Sequence, residues 1–209
     1  MTTLHEGKIV SADSPFVQLV GGPFLMHFAD MVHLQSFIPQ YSKDAAAPDA
    51  YTTWLIEGEI FYSLCCIKDP LSPEGATVML LFDHAAGNLH YLRRDLWCMN
   101  CPEGTILLGH FIWDDIHGVK QPKFLLFDVV KWGGHSMLGE CVKKRYELLR
   151  SLNLDDNSMI SVQFVGEFHA VDKFVRDAQS GKIALPHQIK RAIVLTEDPF
   201  KPFYNKTAE

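Results

Sequence analysis

A chain of 209 residues is the size of one large domain, or at most two small ones. Hydrophobic content of 47% against 21% charged residues suits a globular protein with a full core, and no window reaches the ~20 consecutive apolar residues of a membrane-spanning helix. A formal net charge of −6 argues against broad duplex DNA binding, which draws on many phosphate contacts by Lys and Arg, and leaves room only for a local basic site.

The first residues, Met1-Thr-Thr-Leu-His-Glu6, have neither a basic region nor an apolar signal core, which predicts a cytoplasmic or nuclear protein. After Gly21-Gly22-Pro23, the residues Phe24, Leu25, Phe28, Met31 and Val32 recur at helical spacing. Residues 41–50 are small and polar and read as a surface loop. The runs 54–67 and 77–83 are apolar and rich in aromatic or β-branched residues, while 88–96 partly alternates, so all three predict strands. Polar spacers at 68–75 and 85–88 separate them. The second spacer is short and ends in Gly87-Asn88, which predicts an antiparallel hairpin of 78–82 with 89–92. Two more strands are expected at 105–113 and 124–130, joined by the polar turn 114–118. Val142, Tyr146, Leu149 and Leu152 then mark an amphipathic helix with Lys143, Lys144 and Arg150 on its outer face. A strand at 162–168, a short helix at 171–178 stopped near Gly181, and a last strand at 192–195 complete the pattern. Many strands with hairpin-length turns and few helices predict an α+β fold of mostly antiparallel sheets with flanking helices, in one domain spanning 1–209.

Chemistry-bearing motifs are sparse. There is no Gly-x-Gly-x-x-Gly, no P-loop and no Gly-x-Ser-x-Gly elbow. Ten histidines form no His-x-x-x-His or His-x-His pair. The five cysteines fall as Cys65-Cys66, Cys98-Met-Asn-Cys101 and Cys141. One Cys-x-x-Cys without a second pair is a weak zinc signal, even with His84, His90 and His110 nearby, so these residues read as reduced thiols used as small apolar side chains. Basic clusters stand at Arg93-Arg94, Lys143-Lys144-Arg145 and Lys190-Arg191. No metal or cofactor is expected.

The most specific stretches are Gly104-Thr-Ile-Leu-Leu-Gly-His-Phe-Ile-Trp113 and Phe124-Leu-Leu-Phe-Asp-Val-Val-Lys-Trp-Gly-Gly-His135. Together they resemble the third nucleotide-binding motif, with its companion, of the covalent nucleotidyltransferases: capping enzymes and DNA or RNA ligases. The second is closer still to the cap-binding domain of the snurportin family, matching it at Asp128, Val129, Trp132, Gly134 and His135. That resemblance implies a nucleotidyltransferase-like fold in which Trp132 stacks on a methylated guanine. Around it, the basic Lys131, Arg93 and Arg94 are available for phosphates, and Phe127, Asp128, His110 and Trp54, which opens the stretch standing for the first motif, are the other candidate binding residues.

The same comparison shows what is replaced. Covalent members use a lysine nucleophile in Lys-x-Asp-Gly, whose amine attacks an α-phosphate. Here the stretch reads Glu57-Gly58-Glu59, and no lysine of the chain is followed by x-Asp-Gly. Leu108-Gly109-His110 stands for Asp-Gly-Glu, Lys190-Arg191-Ala-Ile-Val194 for Asp-Gly-Leu-Ile-Phe, and the closing Lys-x-Lys motif and a C-terminal oligonucleotide-binding barrel have no counterpart. The sequence therefore predicts a catalytically inactive module that binds capped RNA or a guanine nucleotide, with protein partners in a ribonucleoprotein or import complex. A structural subunit with a degenerate pocket is the first alternative. A divergent guanylyltransferase or ligase, with Lys68 or Lys131 as nucleophile, is the second.

Overall fold

The computed structural model describes residues 17–19, 40–41, 50–56, 61–68, 76–84, 88–92, 101–152, 154, 159–163 and 165–204. The expected helix at 24–32 and the stretches 57–59 and 93–94 lie outside them. In chain order the strands are β1 (Val17–Leu19), β2 (Gln40–Tyr41), β3 (Tyr51–Ile56), β4 (Phe61–Lys68), β5 (Thr77–Asp83), β6 (Asn88–Leu92), β7 (Thr105–Ile116), β8 (Val119–Trp132) and β9 (His135–Ser136). Helix α1 (Val142–Arg150), β10 (Ile160–Val162), β11 (Gly166–Glu167), α2 (Phe168–Gln179), β12 (Ile189–Val194) and β13 (Phe203–Tyr204) follow.

Two sheets result. The larger runs β1-β6-β5-β4-β7-β8-β10, with β9 also on β8, and the smaller runs β11-β3-β12-β13-β2. Pairing is antiparallel throughout except for β10 on β8 and β13 on β2. This is an α+β fold of mostly antiparallel sheets with flanking helices, as the sequence predicts. The expected 78–82/89–92 hairpin is present as β5–β6, with Phe82 opposite Leu89.

Several boundaries move for physical reasons. The apolar run 54–67 is two strands in different sheets, because β3 pairs with β12 while β4 pairs with β5 and β7. The turn predicted at 114–118 shrinks to His117 and Gly118, both left-handed, so β7 and β8 continue through their polar ends as one ribbon. The strand expected at 162–168 divides into β10 and β11, and α2 starts at Phe168, earlier than its apolar spacing suggested.

Strand β4 is buried along Phe61–Ile67, which is why it reads as a continuous apolar run. Its two faces serve two cores. Phe61, Cys65 and Ile67 pack between the sheets with Ile106, Leu108, Phe127, Val130, Ile193 and Leu195. Tyr62, Leu64 and Cys66 pack on the outer face with Leu107, Leu126, Val129, Leu149 and Leu152, under α1. A third cluster joins Trp54, Ile112, Leu125, Val171, Val175 and Ile189, where α2 covers the smaller sheet.

The register of β8 on β7 slips twice, between Ile106 and Leu107 and between Leu108 and Gly109, leaving Val130 and Phe127 as extra residues of β8. Bulges of this kind bend a strand and re-aim side chains. Here they turn Phe127 and Val130 into the inter-sheet core while Leu126 and Val129 keep the outer one.

Candidate functional site

Beyond β10, which reaches only Phe124–Leu126, α1 packs on β8. At that place the bulged strand presents Asp128, and α1 presents Arg145. Both are fully buried, and the guanidinium meets the carboxylate side-on: Nε donates to Oδ1 at 2.7 Å and Nη2 to Oδ2 at 3.0 Å. Nη2 also donates to the Thr196 carbonyl, and Nη1 donates to the carbonyls of Glu140 and Glu197. The Val129 N–H donates to Asp128 Oδ1 at 2.8 Å. Burial pushes the Asp128 carboxyl up, and the Arg145 guanidinium and the Val129 N–H pull it back. The resemblance assigned Asp128 to nucleotide binding, and the sequence placed Arg145 in a basic cluster with Lys143 and Lys144. The structure joins them as a clamp between β8, the loop before α1 and the loop after β12.

His110 and Phe127 also meet. His110 is 0% exposed. Its ring lies 4.8 Å from Phe127 at 30°, and 5.0 Å from Phe61 at 48°. Phe61 in turn stands edge-on to Phe127 at 6.2 Å. These three rings fill the space between the sheets where β4, β7 and β8 run side by side.

Trp132 is half-buried at the end of β8, packed at the margin of the outer core with Cys101. Gly133 and Gly134 follow with φ of +55° and +83°, conformations costly for any residue with a Cβ, and they return the chain so that His135 pairs with Trp132. The Gly133 N–H donates to Thr105 Oγ1 at 3.0 Å, and the Gly134 N–H to the Gly104 carbonyl at 3.1 Å, which pins this turn to the start of β7. Lys131 is the strand neighbour of Trp132 and lies on the opposite face; its charge is felt at Cys65 in the inter-sheet core. Trp132 and Lys131 therefore do not converge on one point.

Trp54 stands apart from all of these. It is buried in the third cluster, stacked on His187 at 5.1 Å and 25°. His187 Nδ1 is 2.7 Å from the buried carboxylate of Asp114. Neither His187 nor Asp114 carries a motif, and only the return of the loop after α2 brings them together. Arg93 and Arg94 lie outside the described residues, as do Glu57, Gly58 and Glu59. Among the described residues no group of three His, Cys, Asp or Glu side chains is placed to hold a metal ion, and no helix is long and apolar enough to cross a membrane.

Arg145 left a signal in the sequence. It stands three residues after Val142 and four before Leu149, within the apolar stripe of α1, where a solvated arginine has no place. A thiol pair, Cys66 with Cys101, left none, since 35 residues separate its members.

No family model matches the sequence, and no curated protein matches it. Among solved structures the chain is similar to a mycobacterial DNA ligase D complexed with ATP, at 12% identity and a TM-score of 0.48, covering 80% of this chain and 60% of that one. It is also similar to the ligase domain of M. tuberculosis ligase D, at 16% identity and a TM-score of 0.45, covering 80% of this chain and 58% of that one. The chain thus spans less than two thirds of the length of either.

Proposed function

We propose that this chain is a nucleotidyltransferase-like binding module that holds a guanine nucleotide, or the methylated cap at an RNA 5′ end, by stacking on Trp132. One observation carries the reading. Of the two rings in the stretch 127–132, Phe127 is buried and Trp132 keeps part of its surface exposed, on a turn whose backbone is tied down at both glycines. A methylated guanine is cationic, so it gains both stacking and charge–quadrupole attraction over an indole, about 1–3 kcal/mol. The module binds without covalent chemistry, since Glu57-Gly58-Glu59 offers no lysine where the family places its nucleophile.

Titrating the protein with methylated and unmethylated guanine nucleotides tests this. Methylated cap analogues are expected to quench tryptophan fluorescence and bind more tightly, and Trp132→Ala to weaken binding by about 1–3 kcal/mol with the fold intact. Equal and negligible affinity for all of them, in a folded protein, would overturn it. Incubation with labelled GTP or ATP and a divalent metal should leave no acid-sensitive adduct, and an adduct lost on mutating Lys68 or Lys131 would favour an enzyme instead.

A second reading has its own support. The stack of Phe61, His110 and Phe127 and the clamp of Asp128 with Arg145 put motif positions to work inside the fold. Under that reading the module is a structural subunit that contacts other proteins, and it binds no nucleotide.

A further inference from the structure

We propose that Cys101 and Cys66 form a peroxide-sensitive thiol pair, with Cys101 as the sulfur that is oxidised and Cys66 as its resolving partner. The two come together although β4 and the segment before β7 are far apart in sequence. The Cys66 thiol donates to the Cys101 carbonyl at 3.5 Å, and the two side chains lie close enough to shift each other's titration. The backbone beneath them is fixed: Cys66 pairs with Thr105, and the Gly104 N–H donates to the Cys66 carbonyl at 2.8 Å.

The two sulfurs have different chemistry. Cys66 is buried in the outer core, and its hydrogen bond to Cys101 together with burial keeps it a thiol. Cys101 is half-buried, and the neighbouring side chains of Cys66 and Thr105 hold its thiol below the ordinary range although burial opposes them. Thr105 Oγ1 already accepts the Gly133 N–H, so its own hydrogen is available to point at the Cys101 sulfur. Cys65 is next in sequence, but its side chain enters the inter-sheet core on the other face of β4, where burial pushes its thiol up. Adjacent residues of a strand cannot both face Cys101.

The chemistry balances with a hydroperoxide as oxidant. The Cys101 thiolate attacks one peroxide oxygen. The S–O bond forms, the O–O bond breaks, and hydroxide leaves, so that sulfur loses two electrons and the peroxide gains them. Cys66 then attacks the sulfenic sulfur. The S–S bond forms, the S–O bond breaks, and the departing oxygen leaves as water with the Cys66 proton.

The experiment treats the full chain with hydrogen peroxide, blocks residual thiols and maps disulfides by mass spectrometry. A peptide joining Cys66 to Cys101, two hydrogens lighter than its reduced parts, is expected. It should vanish in Cys101→Ser and persist in Cys65→Ser, Cys98→Ser and Cys141→Ser. In Cys66→Ala, dimedone should trap a sulfenic acid on Cys101, and because Cys101 lies only at the margin of the outer core, Cys101→Ser serves if Cys66→Ala fails to fold. At neutral pH, iodoacetamide should alkylate Cys101 faster than the exposed Cys141. A dominant disulfide from Cys98 or Cys141, or Cys101 reacting no faster than Cys141, would overturn the proposal.

Discussion

The guanidinium of arginine carries five N–H donors in a fixed plane, and a buried one is tolerable only when they are satisfied. Arg145 meets this condition: Nε faces Asp128, Nη2 faces Asp128 and Thr196, and Nη1 faces Glu140 and Glu197. Removing one partner leaves the other charge buried and alone. Arg145→Ala should therefore lower stability by about 3–5 kcal/mol in urea denaturation. Arg145→Lys should recover little of this, since an ammonium cannot reach five acceptors in one plane. If Arg145→Ala melts like the parent, the clamp does not hold α1 to the sheets. Leu126 offers an apolar counterpart. It is fully buried in the outer core, and Leu126→Ala should cost about 2–5 kcal/mol by the same measurement.

At the scale of elements, the contact of β7 with β8 turns on Gly109. A Cβ there would lie 2.6 Å from the Leu125 carbonyl oxygen and 2.7 Å from the Phe124 ring, beside the second register slip. Backbone oxygen cannot move aside without breaking the ladder. Gly109→Ala should then destabilise by about 1–3 kcal/mol, read as a lower urea midpoint; an unchanged midpoint would mean that the strands are further apart. The bulges themselves were not legible in the sequence. Residues 124–130 are all buried, so alternation that would betray an extra residue is absent. The amphipathic stripe of α1 was legible, and its Val142, Tyr146, Leu149 and Leu152 do face the cores.

For the whole molecule, histidines shielded from solvent set a pH dependence. Burial holds His84 at about 4, with the nearby Asp83 carboxylate partly opposing it, and burial lowers His90 as well. His84 sits 2.7 Å from Ser63 Oγ and stands edge-on to Phe82 and Phe200, so its neutral form suits the fold. As pH falls below ~6.5 the unfolded chain takes up the proton first, and the folded chain resists until about 4. Stability from this group is therefore full above pH ~6.5 and is lost on the way down to about pH 4, on the order of 2–3 kcal/mol. His84→Gln should flatten the fall in stability between those two pH values. An equal slope in parent and variant would place the loss elsewhere.

What the sequence determined by itself is what local patterning encodes. Apolar runs bounded by Gly, Pro and Asn specified most strands, the spacing of Val142 to Leu152 specified α1, and the short spacer before Leu89 specified a hairpin, because each depends on neighbours a few residues apart. Asp128 stood out by its place after an apolar run, and Trp132 by the glycines beside it. Only the tertiary structure decided their surroundings. It sent β3 and β4 to different sheets, drew Arg145 inside against Asp128, closed His110 between Phe61 and Phe127, kept part of Trp132 at the surface, and set Cys66 against Cys101. The reason is physical. Periodicity reports which face of an element is apolar, but burial of a polar group is tolerated only where partners distant in the chain arrive to satisfy it.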